Sequence, residues 1–164
     1  MVSCFITLGL SSTALHQEKK EGIDTLEFLL GEWESQSINH ESGETAEGRS
    51  TITWILKGNW MKWEFSGQTS AGPVQVLTLI TYQPDRQKYA FYSFNNFDSD
   101  PLPHFGNWIE KKTLRLTIIE GDQNTQIDFI LRENGGFDQT HSSVSSTGEV
   151  KVRLTTRYRK IDKR

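Results

Sequence analysis

A short amphipathic segment, Asp24-Thr-Leu-Glu-Phe-Leu-Leu-Gly31, runs straight into Gly31-Glu32-Trp33, and almost everything after it reads as strand and turn. Asp24 and Glu27 have the spacing of a capping box, Leu26, Phe28, Leu29 and Leu30 supply an apolar face, and Gly31 is a natural stop. The strands expected after it are 33–39, 45–56, 60–66, 74–82, 88–94, 104–110, 113–119, 125–131, 137–142 and 149–159. Between them stand turn formers such as Lys57-Gly58-Asn59, Pro84-Asp85 and Asn134-Gly135-Gly136. Parallel strands need crossovers of a dozen or more residues, and none is available, so the sheet is antiparallel. Ten sequential strands in an open sheet would leave long unpaired edges, and closing the sheet removes them. The expected fold is all-β: one closed up-and-down barrel of about ten strands with a short N-terminal helix. A two-sheet sandwich is the alternative, but its Greek-key connections need longer excursions than most of these turns allow.

The chain of 164 residues suffices for one domain and one core. Its net charge of −3 comes from interspersed signs, with no basic stripe carrying aromatics, which argues against nucleic acid as a partner. No apolar run approaches the roughly 18–20 residues that span a bilayer. Val2-Ser-Cys-Phe-Ile-Thr-Leu-Gly-Leu10 followed by Ser12-Thr13-Ala14 reads as a secretory signal over 1–14, lacking a basic leader. A polar tail over 15–23 and a barrel domain over 24–160 follow. The expected location is therefore periplasmic or secreted, and cytoplasmic if that segment is not a signal. Cys4, the only cysteine, lies inside this apolar run, so if the segment is removed the mature chain has no disulfide and no thiolate site.

Three stretches together carry a resemblance: Leu26-Glu-Phe-Leu-Leu-Gly-Glu-Trp33, Gly48-Arg-Ser-Thr-Ile-Thr-Trp-Ile-Leu-Lys-Gly58, and Leu79-Ile-Thr-Tyr82 followed by Lys88-Tyr89. In this order they resemble a bacterial family of lipocalin-like, calycin-type barrels known only as a domain of unknown function. The likeness covers roughly 24–160. It departs from the family pattern at the single glycine of the hairpin, Gly58, and at Thr81-Tyr82-Gln83, where the family has Gly-Tyr-Asp. The resemblance implies that Gly31 and Trp33 close the barrel floor, with an arginine of the last strand stacked on the indole. An antiparallel return makes Arg157 the candidate and Arg159 the runner-up.

A barrel has an interior, and an interior suggests a small apolar or amphipathic guest. Trp63, Phe65, Tyr92, Phe94 and Trp108 are the candidate ligand-binding residues, if their faces point inward; filling a core is the other reading of the same aromatics. The connections 67–73 and 95–103 are the long ones and follow odd-numbered strands, so both rim one mouth, opposite the Trp33 floor. Apolar residues on both faces of the second and fourth strands would be explained by a homodimer interface. Related barrels bind haem through a late-strand histidine, but the motif that accompanies it is replaced here by Glu34-Ser35-Gln36-Ser37-Ile38, so His141 is not expected to hold haem. Asn96-Phe-Asp98-Ser-Asp100 starts like a calcium loop, but Pro101 and Asn107 stand where glycine and glutamate belong. No catalytic set, metal or cofactor is expected. The expected function is ligand binding inside the barrel. The alternatives are a filled structural or interaction barrel, and an isomerase or hydrolase, which perturbed histidines or carboxylates in the pocket would favour.

Overall fold

The computed structural model describes residues 22–98, 100–120 and 123–162. The signal expected over 1–14 and most of the polar tail lie outside the described residues. The described residues form ten strands: β1 (Gly31–Asn39), β2 (Thr45–Ile55), β3 (Trp60–Thr69), β4 (Gly72–Gln83), β5 (Lys88–Asn95), β6 (Leu102–Glu110), β7 (Thr113–Glu120), β8 (Gln123–Leu131), β9 (Phe137–Val144) and β10 (Val150–Lys160). Each pairs antiparallel with its neighbours in sequence, and β10 pairs with β1 to close the barrel. No helix among the described residues is long and apolar enough to cross a membrane.

Two local expectations need correction. The 67–73 segment is not a long loop: β3 and β4 run on until Thr69 faces Gly72, and the chain reverses over Ser70 and Ala71. Gly72 has φ +124, which permits this tight reversal, and the Thr69 hydroxyl donates to its carbonyl at 3.0 Å. The N-terminal segment is a 3₁₀ helix, Ile23–Leu29, preceded by Gly22 rather than capped by Asp24. The Thr25 hydroxyl and amide both donate to the Gly22 carbonyl, at 2.7 and 3.2 Å. Three residues per turn put Ile23, Leu26 and Leu29 on one face, and all three are buried against the barrel floor. Ile23 thus belongs to the plug, not to the tail.

Trp33 is fully buried above this plug and donates its indole N–H to the Leu29 carbonyl at 2.8 Å. Phe137 packs edge-on against it at 5.0 Å and stacks on Tyr158 at 4.4 Å. Burying an indole of this size is worth up to ~4–6 kcal/mol at ~25 cal/mol per Å². The cation over Trp33 is Lys160, with Nζ 5.4 Å from the ring centroid. Arg157 is not in that place. The partner of Trp33 lies three positions beyond Arg157 on β10: Trp33 faces Lys160, whereas Arg157 faces Gln36 and turns outward, 3.4 Å from Asp138. Arg159 faces Glu34 and also lines the outside. Gly31, at φ +127, has a reason to be glycine here: a Cβ would come within 2.9 Å of Lys160 Cε.

Candidate functional site: the barrel cavity

Above the floor the side chains stop meeting, and a cavity of about 350 Å³ opens toward the mouth. Inward parity follows the register: Trp63 faces Thr78, and Phe91 lies between Ile80 and His104 on the neighbouring strands. One wall, from β3 to β8, is mostly apolar, with Trp63, Phe65, Val76, Phe91, Ile127 and Phe129, and is broken by His104 and by the Thr78–Ser93 hydroxyl pair, 3.0 Å apart. The other, formed by β9, β10 and β1, carries polar groups: Gln139, His141, Thr156, Tyr158 and Ser37. A mostly apolar pocket with a few convergent polar groups is the usual form of a small-molecule site, and this volume is near the small end of the range.

The polar wall is partly satisfied by itself. Tyr158 donates its hydroxyl to Gln139 Oε1 at 3.1 Å, and Ser37 and Thr156 share a hydrogen bond at 2.9 Å. Trp63 donates to Ser50 Oγ at 2.9 Å, which fixes the indole plane at the cavity edge. Burial raises the Tyr158 pKa, so its phenol stays protonated. His141 keeps part of its surface open to the cavity, yet the barrel wall surrounds it. That desolvation, with a smaller contribution from the charge of nearby His104, lowers its pKa from 6.5 to about 4. Both rings line the same cavity. At neutral pH His141 is an uncharged donor and acceptor.

The rim is tied by charge. Glu41, in the β1–β2 hairpin, accepts from Lys151 Nζ at 2.8 Å and from the Arg153 guanidinium, both on β10. Hydrogen bonds from Arg153 and Lys151 hold the Glu41 carboxyl at about 2. Nearby, His40 Nε2 and Thr155 Oγ1 are 2.9 Å apart. Among the described residues no group of histidines, cysteines and carboxylates is placed to hold a metal ion. In the 95–103 segment the Asn95 side-chain oxygen accepts the amides of Phe97 and Asp98, each at 2.8 Å.

Of the aromatics expected in the cavity, Trp63 and Phe65 line it. Tyr92 and Phe94 do not. The β5 ladder turns Phe91 and Ser93 inward, so Tyr92 lies outside with Trp60 and Phe105, each 6.2 Å away. Phe94 is 39% exposed and faces Leu77 on the outer surface. Trp108 is down at the floor, 5.8 Å from Phe28 and donating to Thr25 Oγ1 at 3.2 Å. His104, Gln139 and Tyr158 were missed. Phe137 is the one large apolar side chain early in β9, and placing it inward carries Gln139 and His141 inward by alternation. That signal was in the sequence.

No family model matches the chain, and no curated protein matches it. Among solved structures it is similar to a redesigned beta barrel, mFAP0, bound to DFHBI. The two are 15% identical, the match covers 81% of this chain and 99% of that one, and the TM-score is 0.45.

Proposed function

We propose that this barrel holds a small apolar or amphipathic molecule in its upper half. The observation that carries the reading is the 350 Å³ cavity with its apolar and polar walls. A filled interaction barrel would lack such a space. Native mass spectrometry of protein purified from its own host should show a retained mass. Titration of the stripped protein with a panel of apolar compounds should quench Trp63. If none binds and no mass is retained, the container reading is wrong.

One observation favours a second reading. A neutral histidine inside a cavity is the form a general base takes, and His141 is held neutral there. Turnover of a bound compound that His141→Gln abolishes while leaving its affinity intact would make the barrel an isomerase or hydrolase rather than a carrier.

The Gly-x-Trp entry, with Trp33 sealing the floor over a short helix, supports lipocalin-like kinship. The apolar run 2–10 and the small residues Ser12 and Ala14 support export; N-terminal sequencing of the mature protein should start near residue 15.

A further inference from the structure

The side chains of the cavity constrain the chemistry of a guest beyond its size. Among the described lining residues there is no lysine or arginine. The lining carboxylate, Glu47, is at the rim; it is exposed, accepts from Gln36 at 3.5 Å and also borders an outer groove. The other titratable groups inside are His104, His141 and Tyr158. Two imidazoles sharing one cavity resist both being charged, and the phenol is committed to Gln139 as a donor. Two cations at the rim, Lys151 and Arg153, are both engaged by Glu41. An anionic guest would leave water without a cation to meet it, and an ammonium guest would find no interior carboxylate. Burying an unpaired charge is strongly unfavourable.

The polar wall does offer neutral recognition. Gln139 Oε1 is taken by Tyr158, which leaves the two Nε2 hydrogens for an acceptor. Ser37 and Thr156 have two hydroxyl hydrogens and one mutual bond, so one donor remains. Facing them are the rings of Trp63, Phe65, Phe91 and Phe129. Planar apolar surfaces pack well on such rings.

Building on the container reading, we propose that the guest is an uncharged, ring-bearing molecule with a hydrogen-bond acceptor such as a carbonyl, and that the cavity discriminates against the matching carboxylate. The acceptor meets Gln139 and the Ser37–Thr156 pair, and the ring occupies the aromatic wall.

The test is a matched series on one scaffold, with binding followed by tryptophan quenching and calorimetry at pH 7. The probes are 2-ethylnaphthalene, 2-acetylnaphthalene, 2-naphthoate and 2-naphthylmethylammonium. The ketone should bind at least tenfold more tightly than either ion and more tightly than the ethyl compound. Gln139→Leu should weaken the ketone severalfold and leave the ethyl compound unchanged; Thr156→Val checks the same wall should the first variant fail to fold. A naphthoate affinity equal to that of the ketone overturns the charge selection. A ketone no tighter than the ethyl compound overturns the acceptor assignment while the container stands. If the ethyl compound also fails to bind, the container reading falls, and this inference with it.

Discussion

At the residue scale, Trp33 carries two separable contributions: buried area, and the N–H that satisfies the Leu29 carbonyl. Trp33→Ala should cost about 3–5 kcal/mol in chemical denaturation. Trp33→Phe keeps most of the packing and should cost about 1–2 kcal/mol, chiefly the lost hydrogen bond. Lys160→Ala should cost about 0.5–1 kcal/mol as an exposed cation–π partner. Arg157→Ala, which breaks an ion pair on the outer face, should cost no more than that. A larger loss for Arg157 than for Lys160 would contradict the assignment of the stacked cation. His141 makes a pH prediction. Its folded pKa of about 4 lies below the unfolded 6.5, so between these values the unfolded chain binds more protons. Stability should be unaffected by His141 above pH 6.5, fall as the pH drops toward 4, and level off below. Glu41 acts in a lower window: its stabilisation is lost as the pH falls from 4.5 toward 2. Urea titrations across pH should show His141→Gln flattening the upper window and leaving the lower one.

At the element scale, the plug and the β6–β7 ladder are the vulnerable parts. Leu26 is fully buried on the 3₁₀ face that seals the floor, so Leu26→Ala should cost about 2–5 kcal/mol. The thermal midpoint should fall accordingly. Gly106 faces Leu116 so closely that an added Cβ would lie 1.7 Å from the Arg115 carbonyl oxygen. Gly106→Ala must therefore part the two strands, with a cost of about 1–3 kcal/mol or more. Amide exchange should then accelerate first in β6 and β7. Uniform exchange across the barrel would argue against a local separation.

At the scale of the whole molecule, closure depends on the pairing of the first and last strands, whose ladder runs from Trp33–Lys160 to Asn39–Leu154. Nine strands could not keep this geometry, because β1 and β9 would become open edges. A chain ending at residue 149 should lose cooperative unfolding and self-associate, as exposed edges do. Light scattering and denaturation curves would show it; a monomeric, cooperatively folding truncation would contradict closure by β10. The same closure keeps the cavity away from the floor. The plug seals one end, so the cavity opens at the other, beside the Glu41 hairpin.

Strand number, strand order and antiparallel closure were legible in the chain, because turn residues at short spacing leave no room for crossovers. The Gly31-Glu32-Trp33 entry marked the floor for the same local reason. Which side chains point inside was not legible wherever both parities are apolar. In β5, Phe91 and Ser93 compete with Tyr92 and Phe94, and only the pairing of Phe91 with Ile80 and His104 decides between them. In β10, Lys160 shares the face of Tyr158 while Arg157 and Arg159 lie on the opposite one, and only the register against β1 puts Lys160 at the Trp33 ring. Gln139 and His141 share a wall by alternation along β9, but that His104 on β6 faces the same cavity depends on strands distant in sequence. Local patterning therefore determined the barrel, whereas the chemistry of its interior was set by how the ladders slid into register when the sheet closed.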